Sequence, residues 1–484
     1  MSVAFKPRPV VVPSILVDRG RFVRYTAWLI LLYIALLMFE GALRKWTLPR
    51  FSNPLLIIRD PILILIYIMA LRARVFPCNR WVISLAIIGI LSEIVSVCIL
   101  LPYFPWTPLA AVTLYGFRSN FLHLPLIFIM ANVFDEKDVK RIGWWILLGM
   151  IPLSLLMVAQ FQAASDSFIN RTAGSLAETG EQLTAGSGRI RPAGTFSFIS
   201  GPIFYCSAAA AFLIYGILTR ATYKIWVLIA SGVALVVAVA VSGSRACVAS
   251  VLLVVLSILV VLIVRPQAVN QIGRILLVGI IAAYVIARLP VFKEGVDVLS
   301  TRFTSAAEES EHTLVGGMLN RVAEEFTESL TNLDKFPAGG WGLGLGTNAG
   351  AHFLIGTSVF LLSENEWTRV LYESGPFLGM AFLLWRTILT FHLGYLSLIA
   401  LKRGATLPIL LFSCGSVILL TGQFGQPTTL GFAVVLCGLC LAATRGRENA
   451  SVDSIIPANG AERLMPRRIP RRSEYASRLH GPNP

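Results

Sequence analysis

Cations stand in this chain where the neighbouring sequence is otherwise apolar. Val237–Val261 reads VAVAVSGSRACVASVLLVVLSILVV, and Arg245, in the four-residue join Ser242–Arg245, is its one charged residue. Arg44, Lys45 and Arg50 (EGALRKWTLPR), Arg59 (LIIRDPIL), Arg118 (YGFRSNFLH), and Arg189 with Arg191 (GRIRPAG) stand in similar places, and Arg321 and Arg369 come later. A guanidinium presents paired donors that match phosphate oxygens. As a set these residues could line a basic pocket for a lipid-linked diphosphate. One by one they could equally snorkel to head groups or pair locally, as Arg59 could with Asp60.

Carboxylates form the second group of candidates. The run LLSENEWTRVLYESGPFLG (361–379) carries Glu364, Glu366 and Glu373, with Glu40 and Glu93 earlier. At helical spacing Glu366 can pair with Arg369, and Arg369 with Glu373, on one face. Beside a phosphate pocket, Glu364 or Glu366 could instead take a proton from a substrate hydroxyl as a general base. His123, in FLHLPL, reads as a buried, hydrogen-bonded histidine.

The elements that must hold these residues are membrane spans. Of 484 residues 56% are hydrophobic and 14% charged, against about 25% charged in soluble domains. Apolar runs recur at about the 20 residues that cross a hydrocarbon layer as a helix, and no alternating barrel strands are visible. The chain reads as an all-α polytopic bundle. Its spans fall near 25–43, 54–72, 81–101, 120–134, 143–162, 197–219, 224–241, 246–265, 273–290, 370–398, 406–424 and 428–444, about twelve with a range of 10–12.

Lysine and arginine placement orients the bundle. With residues 1–24 cytoplasmic, every inner loop is basic: Arg72, Arg74 and Arg80; Lys137, Lys140 and Arg141; Arg220 and Lys224; Arg265 and Arg274; Lys402 and Arg403. The net charge of +15 then reflects topology and attraction to membrane lipids, and nucleic acid is not expected as a partner. Residues 25–290 hold nine spans with an outer loop near 163–196. Residues 291–369 form a large outer loop, 370–444 the last three spans, and 445–484 a basic cytoplasmic tail.

Within the large loop, Leu319, Val322, Phe326, Leu330 and Leu333 repeat at helical spacing opposite Glu324, Glu325 and Glu328, the pattern of an amphipathic helix. The glycine-rich PAGGWGLGLGTNAG (337–350) lacks the preceding strand a dinucleotide fold needs and reads as tight turns. Seven cysteines sit in or beside spans, so no disulfide framework is implied. Cys437 and Cys440 read as small residues at helix contacts, and neither metal nor cofactor is expected.

The order of GRIRPAGTFS, SGSRACVAS, PAGGWGLG and SENEWTRVLYESGPFLG around one large loop resembles the O-antigen ligase/polymerase superfamily of bacterial envelope glycosyltransferases, over roughly residues 160–400. The resemblance implies a GT-C-like fold in the inner membrane and a metal-independent glycosyl transfer at its outer face. It implies an undecaprenyl-diphosphate-linked oligosaccharide as donor. Arg189 or Arg191 and Arg245 would hold the diphosphate, Arg245 also easing its departure, with Arg321 a weaker correspondence. Ligases of the superfamily have a histidine where this chain has Glu364. That departure favours polymerisation of repeat units, with a chain-length regulator as a possible partner, over ligation to lipid A core. A transporter or flippase would show duplicated halves, and no internal repeat is visible.

Overall fold

The computed structural model describes residues 14–173, 184–186, 189–219, 222–265, 326–327, 329–331, 333–347, 350, 352, 362–363 and 365–455. It is a helical bundle with almost no strand. Among the described residues, twelve α-helices follow in chain order: α1 (Ser14–Ala42), α2 (Arg59–Arg72), α3 (Arg80–Leu100), α4 (Trp106–Phe117), α5 (Leu126–Val133), α6 (Glu136–Gln162), α7 (Ser200–Leu218), α8 (Ile225–Val241), α9 (Arg245–Val264), α10 (Glu366–Lys402), α11 (Leu407–Thr421) and α12 (Pro427–Ile455). The strands β1 (Thr184–Gly186) and β2 (Arg189–Ile190) pair as an antiparallel ribbon.

Among the described residues, eight helices are long and apolar enough to cross a membrane, and α8 and α11 are shorter apolar helices. Their surfaces confirm a lipid solvent. α3 exposes Ile83, Ile87, Ile90, Leu91 and Ile94 and buries Ser92 and Ser96, the reverse of a soluble helix. The chain is a multi-pass membrane protein. Central to the bundle is α12, which runs buried from Leu430 to Ala443 and packs against α5, α6 and α11.

Helix starts follow from local chemistry. Asp135 and Asp138 form a reciprocal capping box on α6. Asn79, Ser244 and Asn365 cap α3, α9 and α10 with side-chain oxygens that accept from backbone N–H groups of the first turn.

Two elements depart from the sequence reading. The expected fourth span, 120–134, is the second half of a longer broken element. α4 runs to Phe117, a π-helical turn covers Arg118–Leu122, and α5 resumes at Leu126. Pro125 has no N–H to continue the ladder, and Arg118 and Asn120 find partners on other helices. The tenth span is also broken. α10 contains a non-helical Gly375 (φ 74°, ψ 171°) followed by Pro376. The expected ninth span (273–290) and the first part of the amphipathic helix lie outside the described residues.

Candidate functional site

Pro376 and the Gly375 break leave the carbonyls of Tyr372 and Glu373 without their usual partners four residues on. The glycine-rich turn supplies replacements. Trp341 N–H donates to Tyr372 O (2.7 Å) and Gly342 N–H to Glu373 O (3.0 Å), while Gly346 N–H donates to the Glu373 carboxylate (2.9 Å). Gly340 (φ 77°) lies so close to the Glu373 carbonyl that a Cβ would collide with it. The glycines thus act as tight turns, closing a broken helix.

That clasp sits at one end of the bundle, the loop-rich end. Here Leu343 and Gly344 press on Gly116, and Leu343 N–H donates to Ser96 Oγ of α3 (2.9 Å). The segment after β2 is fastened to the same end. Lys45 Nζ donates to Gly194 O (2.7 Å), Gly194 N–H to Gln160 Oε1 (2.8 Å), Thr195 Oγ1 to Met38 O (2.7 Å) and Arg44 Nη1 to Ser197 Oγ (3.0 Å). α1 and α6 therefore grip the loop that carries Arg189 and Arg191.

Arg189 Nη1 donates to Gln162 O (3.2 Å), with its guanidinium over the Phe161 ring. Arg191 is half-buried, and its Nε is buried without a hydrogen-bond partner. Arg245 opens α9, half-buried, after the Ser244 cap. One turn further on, Ser250 Oγ donates to Ile203 O at the start of α7 (3.4 Å), so Arg245 belongs to the loop-rich end as well. Glu364 and Arg321 lie outside the described residues.

The remaining expected site residues are inside the bundle, in ion pairs. Glu366 Oε2 accepts from Arg369 Nε (2.9 Å), and its Oε1 accepts from Arg369 Nη2 (3.0 Å), Arg386 Nη1 (2.9 Å) and the Phe424 N–H (3.2 Å). Arg369 also donates to Glu373 Oε2 (2.6 Å) and to Asn120 Oδ1 (2.9 Å). With both oxygens occupied by guanidinium and amide donors, and 1% exposure, Glu366 stands in this structure as the counter-ion of Arg369 and Arg386. Arg369 is also buried, and four of its five N–H donors go to Glu366, Glu373 and Asn120. The spacing argument for pairing along α10 holds; Arg386 joins from further along the same helix, and Asn120 comes from the broken fourth element.

A second cluster lies where α1, α2 and the Arg118–Leu122 turn meet. Arg59 pairs with Glu40 (3.0 Å) rather than with the adjacent Asp60. Asp60 instead takes Arg118 Nε on Oδ2 (2.5 Å) and His123 Nε2 on Oδ1 (3.1 Å). His123 is enclosed and hydrogen-bonded, its Nδ1 2.9 Å from Tyr33 Oη. Arg118 is buried, with Nη2 on Leu56 O (3.3 Å) and Nη1 buried without a partner. Sequence reasoning missed this constellation because its members are 90 residues apart; the visible signal was polar residues in apolar context.

No protein-family model matches the chain, and no curated protein sequence matches it.

Proposed function

We propose that this protein is a membrane glycosyltransferase that polymerises undecaprenyl-diphosphate-linked oligosaccharide repeat units for O-antigen or exopolysaccharide. The loop-rich end faces the outside of the inner membrane, and the bundle is GT-C-like with about twelve spans. The observation that carries this reading is the cationic loop at that end. Arg191 keeps a buried, unpartnered Nε on a segment braced by Lys45 and Arg44, with Arg189 two residues away. A donor enclosed without an acceptor is costly, and a phosphate oxygen would satisfy it.

On this reading Arg189, Arg191 and Arg245 bind the donor diphosphate and stabilise its charge as the glycosidic bond breaks, which is electrostatic assistance to a leaving group. Buried ion pairs in α10 hold the frame and take no part in the chemistry.

The test is the size distribution of surface polysaccharide in cells that carry the protein, in a deletion, and in the deletion complemented with Arg191→Ala. Loss of long chains, with glycans capped at single repeat units, is the expected result in the last two strains. An unchanged distribution in the deletion contradicts the assignment.

A further inference from the structure

The network around Asp60 assigns its own protons. Tyr33 Oη accepts from Arg59 Nη1 (3.3 Å). Asp60 Oδ1, as a carboxylate oxygen, can only accept, so His123 Nε2 carries a proton and donates it there (3.1 Å); in the neutral imidazole Nδ1 is then left to accept from the Tyr33 hydroxyl, 2.9 Å away. Among the described residues, the remaining Asp60 oxygen, Oδ2, is held by Arg118 Nε (2.5 Å). Asp60 is also the cluster's most open side chain, 15% exposed against 1% for Arg59 and His123, 4% for Glu40 and 6% for Arg118.

Two observations point outward from this pair. Arg118 Nη1 is a buried donor with no acceptor. Asp60 also opens α2 at the loop-rich end, where Arg118 Nη2 reaches Leu56 O just ahead of that helix. The charged and titratable groups facing His123 are Tyr33 and Glu40 from α1, Arg59 and Asp60 from α2, and Arg118 from the broken fourth element.

We infer that Asp60 is the proton acceptor of the site, and that Arg118 is the latch that keeps it idle until an anionic diphosphate draws the guanidinium away. The inference rests on the proposed transfer from a lipid diphosphate. When the diphosphate engages Arg118, Oδ2 is released and faces the acceptor sugar. The acceptor hydroxyl gives its proton to Asp60 Oδ2 while its oxygen bonds to the anomeric carbon. The bond from that carbon to the diphosphate oxygen breaks, and its electron pair leaves on the diphosphate. His123 keeps its Nε2 proton on Oδ1 throughout and is a positioning residue, oriented in turn by Tyr33.

Infrared difference spectra of the full-length protein in lipid nanodiscs test this, with undecaprenyl diphosphate as the added probe and phosphorus NMR reporting its binding. The expected result is a carboxyl band change on binding that vanishes in Asp60→Asn, which preserves shape but replaces one accepting oxygen with an N–H donor. Arg118→Lys, lacking the forked guanidinium, should weaken the band change. In transfer assays, Asp60→Asn should lose about 10²- to 10⁴-fold in kcat with donor KM unchanged. His123→Phe should lower kcat in the same way, and His123→Gln, which can still donate to Asp60, should recover much of it. If undecaprenyl diphosphate binds but the spectra of wild type and Asp60→Asn are the same, the latch is overturned and the glycosyltransferase reading stands. If the wild-type protein does not bind the probe, both fall.

Discussion

Asn120 Oδ1 accepts a 2.9 Å hydrogen bond from Arg369 Nη2, and the same amide donates to Glu373 Oε2 at 3.3 Å. A residue of the broken fourth element thereby joins the two charges of α10 that stand one turn apart. The π-helical turn around Asn120 puts Arg118 and His123 into one polar cluster and Asn120 into the other. The two clusters are neighbours through residues 118–123 of one segment, and a ligand that moves Arg118 acts on the segment that also holds Arg369.

Asn120→Leu removes the bridge and leaves charged partners with fewer bonds. A hydrogen bond to a charged group contributes about 1.5–3 kcal/mol. The variant should lose stability by that order, read as a lower denaturation midpoint in detergent, with Asn120→Asp worse than Asn120→Gln because a new carboxylate would face Glu373.

Glu366 is the carboxylate paired with Arg386, so Glu366→Gln takes that partner from a guanidinium inside the bundle, whereas Arg386→Met leaves Glu366 paired with Arg369. Glu366→Gln should destabilise by about 3–5 kcal/mol, and Arg386→Met by less. The double variant should be less damaged than the sum of the two, since it removes the guanidinium that Glu366→Gln deprives of its carboxylate. A strictly additive cycle would show that the pair is not coupled.

Gly340→Ala places a Cβ against the Glu373 carbonyl at φ 77° and should cost more than about 1 kcal/mol, since alanine is strained where φ is positive. Gly232→Ala is the control. It lies inside α8, and the nearest atom to its added Cβ is Leu213 Cδ2 at 3.6 Å, so it should hold or gain about 0.5–1 kcal/mol. Thermal unfolding of the two variants side by side separates turn strain from general glycine loss.

The architecture was largely legible in the sequence because length and apolarity dictate spans: helices stand at eleven of the twelve expected places, and the remaining one, 273–290, lies outside the described residues. Pairing of Arg369 with Glu366 and Glu373 was legible too, since helical spacing alone brings them together. Breaks were less so. Pro125 and Gly375–Pro376 are visible punctuation, yet whether a helix ends or merely kinks there depends on what satisfies the freed carbonyls, here Trp341 and Gly342 some thirty residues upstream. Arg59 chose Glu40 over its neighbour Asp60 for a similar reason: adjacent helical residues point in different directions, and the partner one helix away lies within reach.

Arg191→Ala should leave stability within about 0.5 kcal/mol, as an unpaired, half-buried side chain. It should weaken binding of undecaprenyl diphosphate by about 10- to 100-fold, the equivalent of one charge-assisted hydrogen bond. Lys45→Met should do both, lowering stability and binding, because Lys45 fastens the loop at Gly194. Equal stability losses for both variants would mean that Arg191 is a structural residue.

Single cysteines at Tyr103 and Trp341, exposed at the loop-rich end, should react with impermeant reagents from outside the cell, and one at Lys224, exposed at the opposite end, should not. The reverse pattern inverts the orientation.

The central claim is glycosyl transfer from a lipid diphosphate, and purified protein in lipid vesicles tests it most directly. Supplied with undecaprenyl-diphosphate-linked repeat units and nothing else, the wild-type protein should release undecaprenyl diphosphate and build a ladder of longer lipid-linked chains. Asp60→Asn and Arg191→Ala should build little or none. Repeat units that remain single under the wild-type protein, with no diphosphate released, would contradict the account.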